Sequence, residues 1–116
     1  SPGVDMAEMT NDRNGGGGQS SSTHGYITGG DESNTQTNKI EKFPFSSDSP
    51  GSDVGDLTAA RKWMSATSST THGYTAGGSA SPTSVIDKNL FSSDTNATDV
   101  GELINPTTYY NASQQV

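Results

Sequence analysis

The chain has 116 residues, of which 27% are hydrophobic, and it carries a formal net charge of −7. An acidic chain lacks the basic surface with which proteins displace counterions from nucleic acids, so we expect no nucleic-acid partner. With no cysteine, the chain has neither disulfides nor thiolate metal sites, and no apolar run approaches the roughly 20 residues of a membrane helix.

The apolar share is below that of an ordinary globular domain, while glycine alone contributes 14 residues. This balance favours short strands joined by many turns. It also favours a core that other copies or other segments complete.

In chain order, the first feature is a short acidic and apolar element that recurs. Residues 5–10 match residues 53–58, which lie 48 positions later (53 − 5), and residues 99–103 are a third copy. The apolar positions are three apart, which suits either a helical turn or a bent strand. We predict a short strand or turn, because a central glycine weakens a helix.

A run of four glycines, Gly15 to Gly18, follows and lies opposite the segment 62–70 in the repeat. Alone it is typical of a flexible linker. If residues 62–70 contain a strand, the glycines occupy an equivalent strand in which another backbone approaches closely. Both interpretations remain open from the sequence.

The clearest repeat is Thr-His-Gly-Tyr-x-x-Gly-Gly, which begins at Thr23 and again at Thr71. Residues 23–28 and 71–76 are predicted strands, and the paired glycines allow a positive φ in the exit turn. The repeated residues to which we assign a structural role are His24, Tyr26, Gly29, Gly30, His72, Tyr74, Gly77 and Gly78.

The next predicted strands are residues 40–45 and 86–91, which are 46 positions apart (86 − 40). The period shortens by two residues within the polar loop that precedes them. Ile40 falls on one side of the alternation and Phe43 and Phe45 on the other, so we expect a strand covered on both faces.

These matches divide the chain into four segments. Residues 1–13 are the end of a partial repeat, residues 14–61 are repeat 1, residues 62–103 are repeat 2, and residues 104–116 are a C-terminal strand or tail. Each full repeat holds about four short strands, which is the size of a propeller blade.

The order within each repeat resembles the kelch repeat: an apolar strand before Gly-Gly, further strands after it, and an arginine such as Arg61 before the next repeat. The resemblance implies an all-β fold of two kelch-like four-stranded blades plus a partial blade. Propellers close with about four to eight blades, so other chains or a longer protein would complete the ring. It also implies a blade-bridging structural role for Arg13 and Arg61, with recognition of a partner's carboxylate as the alternative.

The late aromatic of kelch repeats is absent, and Asp-Val stands in its place at residues 53–54 and 99–100. With this sequence pattern the chain is similar to virion proteins of marine tailed phages. That similarity implies a tail, fibre or capsid-decorating protein located in the virion.

Three sets of residues are candidate binding sites. His24 and His72 would need a third partner to hold a metal, and a hydrogen bond from each to a turn is the simpler expectation. Carboxylates on turns are calcium candidates, although turn-forming aspartates that bond their own backbone are expected first: Asp48, Asp53, Asp56, Asp94, Asp99 and Glu102. Trp63, Tyr109 and Tyr110 are sugar-stacking candidates, and for Trp63 we favour a place in the core.

No Ser-His-Asp set is credible, and the glycine run lacks the Lys-Ser/Thr of a phosphate-binding loop, so we expect neither an enzyme nor a cofactor. The leading hypothesis is a non-enzymatic virion protein that displays polar loops, with a role in host-surface attachment. Its partners would be copies of itself or other virion structural proteins, with a cell-surface glycan as a further partner. The alternative is an extracellular, carbohydrate-binding adhesin or a filament subunit at the cell surface.

Overall fold

The computed structural model describes residue 9, residues 13–79 and residues 84–104. All regular elements within these residues are β-strands, arranged in three antiparallel sheets, which confirms the all-β class. The predicted terminal segments, including Tyr109 and Tyr110, lie largely outside the described residues.

The strands follow the predicted segments closely. The first sheet contains, in spatial order, β2 (Gly17–Ser20), β3 (His24–Thr28), β6 (Lys39–Pro44) and β7 (Ser52–Asp56). The second sheet contains β8 (Ser65–Ser68), β9 (His72–Ala76), β10 (Val85–Leu90) and β11 (Thr98–Glu102). A small third sheet contains β1 (Arg13–Asn14), β4 (Asp31–Glu32) and β5 (Thr35–Gln36).

The internal repeat is visible in the strand register as well as in the sequence. Tyr26 pairs with Lys42 in the first sheet, and the equivalent Tyr74 pairs with Lys88 in the second. Both sheets carry a register irregularity at the same place, after Ile40 and after Ile86. The two sheets are therefore copies of one antiparallel meander.

Glycines are required where the chain leaves the sheets. Gly29 and Gly30 have φ of 61° and 100°, and Gly77 and Gly78 have φ of 69° and 102°. Side chains rarely adopt these values, and a Cβ on Gly30 would lie 2.7 Å from the carbonyl oxygen of Asn14. The repeated Gly-Gly pairs therefore mark the same tight exit from each sheet.

The glycine run does not behave as a linker throughout. Gly17 and Gly18 belong to β2, and a Cβ on Gly17 would lie 2.8 Å from the Cβ of Ala66 in β8. The first strands of the two sheets thus approach closely at this position, as the second interpretation of the run requires.

The hydrophobic core lies between the first and second sheets. Its buried members are Tyr26, Ile40, Leu57 and Ala97, against which Val54 and Phe91 pack. The expectation that β6 is covered on both faces is confirmed only in part: Ile40 and Glu41, on opposite sides, are each 1% exposed, whereas Phe45, just after the strand, is 49% exposed.

Candidate functional site

The feature with functional content is the junction between the two sheets. Side chains alternate across a strand, and the register places Tyr26, Lys42 and Ile40 on one side of the first sheet. We call this side, and the equivalent side of the second sheet with Tyr74, Lys88 and Ile86, the tyrosine face. The opposite side, with Phe45 in the first sheet and Phe91 in the second, is the phenylalanine face.

The junction joins unlike faces. The Tyr26 ring stacks on the Phe91 ring with a centroid distance of 4.6 Å and an interplanar angle of 18°, and offset stacking of this kind is favourable. Burial raises the pKa of the Tyr26 hydroxyl, although the charge of Lys42 opposes the shift. The tyrosine face of the first sheet therefore covers the phenylalanine face of the second.

Polar contacts at the junction fix the position of one sheet on the other. Gln19 Nε2 donates to Thr75 Oγ1 at 2.9 Å in a buried contact. Lys42 Nζ pairs with the Asp94 carboxylate at 2.8 Å across the rim, with the two side chains 21% and 53% exposed. The backbone N–H of Ala97 donates to the carbonyl of Asp56 at 2.8 Å.

A fully buried ion pair ties the connection between the sheets to the second sheet. Arg61 Nη2 lies 3.0 Å from Asp87 Oδ2, and both side chains are 0% exposed. The same guanidinium donates to the backbone carbonyls of Thr75 and Val85. Thr58 donates its N–H and its hydroxyl to Asp87, so this carboxylate is well satisfied.

Burial lowers the pKa of the Arg61 guanidinium, against the opposing charges of Asp87 and Asp99. Desolvating this cation therefore carries a free-energy cost that its partners must offset. The geometry is that of a structural residue, held by a buried carboxylate and two backbone carbonyls.

The first sheet contains the equivalent arrangement. Arg13 Nη2 lies 3.0 Å from Glu41 Oε1, with both side chains 1% exposed, and 3.1 Å from Glu32 Oε1. Burial opposes ionisation of Glu32, but the hydrogen bond and charge of Lys39, together with Arg13, lower its pKa overall. The two arginines therefore occupy the same structural position in both repeats.

Each outer end of the two-sheet stack presents an unlike face. The phenylalanine face of the first sheet exposes 49% of Phe45, whereas the tyrosine face of the second bears the half-buried Tyr74 and Lys88. At the outer strand of that second face, 47% of Val100 is exposed. The chain thus displays both halves of the junction that it already contains.

A groove of about 420 Å³ lies beside the open phenylalanine face. Its lining includes Gly18, Gly25, Phe43, Phe45 and Ala66. A Cβ on Gly25 would overlap the Phe43 ring, so the ring packs directly against the backbone of this glycine. The groove is open, and its surface is more apolar than polar, which suits contact with another largely apolar surface.

Each of the two histidine side chains hydrogen-bonds to the threonine that precedes it. His24 Nδ1 lies 2.8 Å from Thr23 Oγ1, and His72 Nδ1 lies 2.8 Å from Thr71 Oγ1. Among the described residues there is no cluster of three or more His, Asp or Glu side chains that could hold a metal ion.

The acidic candidates occupy different structural positions. Asp53 accepts the N–H of Gly55 at 3.2 Å, and Asp99 accepts that of Gly101 at 3.1 Å, which is the turn-forming arrangement. Asp94 is the junction partner of Lys42. The others lie on exposed or half-buried positions of strands and turns: Asp48, Asp56 and Glu102.

Trp63 does not lie in the core. It precedes β8, is half-buried, and has a φ of 57° at the position where Gly15 has a φ of 69°. Its backbone N–H donates to the Gly15 carbonyl at 2.7 Å, and the Lys62 ammonium lies 4.2 Å from the centroid of the indole ring. A bulky residue rarely takes this backbone conformation, so neighbouring contacts hold it there.

Sequence reasoning missed the junction residues Lys42 and Gln19 and the buried Asp87. The sequence did carry a signal for the charge pair of the junction, because Lys42 recurs as Lys88 and its partner Asp94 is the recurrence of Asp48. Pairing the repeated lysine with the repeated aspartate required the relative placement of the two sheets.

Comparison with known proteins returned no matching family model and no matching curated protein sequence. Within the described residues, no helix has the length and apolar character needed to span a membrane. The function of the chain is therefore inferred from its own residues.

Proposed function

We propose that the chain is a non-enzymatic structural protein of a virion, built from two kelch-like propeller blades. The observation that carries this proposal is the junction of unlike faces. Successive blades of a propeller are related by rotation, so each blade covers the next with the same face. Tyr26 on Phe91 is such a contact, and the two outer faces remain available for further blades.

The titratable groups at the centre of the molecule serve architecture rather than chemistry. The buried carboxylate Asp87 is saturated by Arg61 and Thr58, and each histidine is bonded to its own turn. A catalytic base requires a poised group facing a pocket. The polar groups of the junction instead fix the orientation of the two sheets.

The surface suits rigid display of polar loops. The turn at residues 46–50 is exposed throughout, and Ser33 and Asn34 form the exposed tip of the β4–β5 hairpin. These loops project from antiparallel sheets with paired strands, a scaffold on which recognition loops are commonly carried. The similarity of the repeat sequence to virion proteins supports display on a tail, fibre or capsid.

Antibodies raised against the chain should test the virion role. We expect them to label one defined structure on purified tailed-phage particles in immunoelectron microscopy, and to detect the chain in those particles after density-gradient purification. Labelling that is absent from particles while the chain remains in the soluble lysate would overturn the proposal.

A glycan array separates this role from that of an extracellular adhesin. A cell-surface sugar that binds the chain and is lost in Trp63→Ala, without particle labelling, would favour the adhesin. His24→Ala is a matched control, because it also removes an accessible ring but leaves Trp63 in place.

A further inference from the structure

We propose that a second copy of this chain docks head to tail on the first. The tyrosine face of the second sheet of one copy covers the phenylalanine face of the first sheet of the next. In this contact Tyr74 stacks on Phe45 of the neighbouring copy, and Lys88 pairs with its Asp48. The inference shares the blade interpretation with the proposed function but does not depend on a virion location.

The internal junction is the template for this contact, because the repeat carries over its residues position by position. Tyr26 becomes Tyr74 (26 to 74, an offset of 48), and Phe91 becomes Phe45 (91 to 45, an offset of 46). The same offset of 46 converts the junction pair Lys42 and Asp94 into Lys88 and Asp48. The aromatic pair and the charge pair of the junction are thus both present, divided between the two ends of the stack.

Burial differs between equivalent residues in the direction that this docking requires. On the tyrosine face, Tyr26 and Ile40 are 3% and 1% exposed, whereas Tyr74 and Ile86 are only half-buried. On the outer strand of that face, Val54 packs on the core, whereas its counterpart Val100 is 47% exposed.

The phenylalanine face shows the reverse asymmetry. Thr75 and Ser68 in the second sheet are 0% and 3% exposed, but their counterparts Ile27 and Ser20 in the first sheet are half-buried. These positions, which are covered at the internal junction, therefore have less buried counterparts at the two ends of the stack.

The residues that differ between the two junctions compensate in size. At the internal junction Gln19 reaches across to Gly73, where a Cβ would overlap its amide. At the proposed junction the equivalent of Gln19 is the shorter Thr67, and the equivalent Gly25 is already covered by Phe43 of its own sheet. A long side chain is therefore absent where the receiving sheet has filled the space itself.

Charge favours the same partner. Within the described part of the chain, no ion pair involves Lys88 or Asp48, and Asp48 is exposed. The two sheets of one chain already meet through their other faces, so these outer faces do not cover each other, and a second copy offers the complementary surface to each. A contact between unlike faces is heterologous, and it produces a ring if the rotation closes and a filament if it does not.

A charge exchange tests the pairing. In sedimentation velocity, the wild-type chain should associate with rising concentration. Lys88→Glu or Asp48→Lys alone should each raise the dissociation constant of this association about three- to tenfold. An equimolar mixture of the two variants should restore association, because the exchanged charges face each other and the remaining pair is unchanged. Circular dichroism confirms that both variants keep the fold.

A wild-type chain that remains monomeric at several hundred micromolar would overturn the proposal, as would single variants that associate as well as the wild type. A mixture that fails to restore association would also contradict it. Tyr74→Ala supplies a second measurement, for which we expect a loss of at least about tenfold, as for an aromatic hot spot. Labelled phage particles together with a monomeric chain would sink only this inference, whereas association without particle labelling would sink only the virion role.

Discussion

Replacing Arg61 by methionine tests the buried ion pair that links the two repeats. The substitution keeps an unbranched apolar side chain of similar length but removes the guanidinium from Asp87, which is 0% exposed. The carboxylate would keep its bonds from Thr58 but would lose its counter-charge. A buried charge without a partner is among the most destabilising of single changes.

The expected loss follows from burial on both sides of the pair. Breaking a buried ion pair from one side costs about 3–5 kcal/mol. With an unfolding entropy of about 2.1 cal/mol/K per residue, a chain of 116 residues should melt about 12–20 °C lower. Lys39→Met removes one positive charge from the partly exposed pair with Glu32, in which Lys39 is 32% exposed, and should cost only about 0.2–1 kcal/mol.

Urea unfolding followed by tryptophan fluorescence, with all variants at one protein concentration, measures the difference directly. Asp87→Asn added to Arg61→Met should restore part of the lost stability, because asparagine still accepts from Thr58 but carries no charge. If Arg61→Met costs no more than Lys39→Met, or the added Asp87→Asn lowers stability further, the reasoning from the buried charge is refuted.

Three further predictions concern packing, pH and backbone. Ile40→Ala should cost about 2–5 kcal/mol and the equivalent Ile86→Ala less in dilute monomer, because only Ile40 is fully buried; equal urea midpoints for the two variants would contradict this. Because the folded-state pKa of Glu32 is lowered, its contribution is present above the unfolded-state pKa and lost as pH falls through the folded-state pKa. The stability gap between wild type and Glu32→Gln should therefore close in acid, and a gap that persists there would disprove it. Gly30→Ala, at φ 100° against a backbone oxygen, should cost about 1–3 kcal/mol, whereas Gly18→Ala, with no atom within 4 Å, should be neutral or stabilising by about 0.5–1 kcal/mol; thermal melts that rank the two alike would argue against the turn geometry.

Much of the strand order could be predicted from the repeat. The segments 23–28 and 71–76 became β3 and β9, and the residues around Ile40 and Ile86 became β6 and β10. Alternation, β-branched residues and Gly-Gly pairs are local signals, so one chain suffices to read them. The comparison of two copies also showed that Gly17 and Gly18 stand where β8 has side chains.

The junction could not be predicted, because it depends on contacts between residues far apart in sequence. Nothing local indicates that Tyr26 stacks on Phe91, 65 positions away, or that Gln19 reaches Thr75. The left-handed backbone of Trp63 was missed for a different reason: tryptophan disfavours that conformation, and only the neighbouring contacts impose it.

The hairpin between β3 and β6 makes the fold a scaffold for grafted peptides. Its ends are clamped, since Gly29 N–H donates to the Lys39 carbonyl and Thr37 N–H donates to the Gly30 carbonyl, each at 2.9 Å. Its tip, Ser33 and Asn34, has φ of 50° and 67°, as in a two-residue turn. Neither residue belongs to a strand. Each doubling of a flexible insert there costs only about 0.6 kcal/mol in loop closure, so foreign epitopes can be carried at this tip while the clamp below it stays shut.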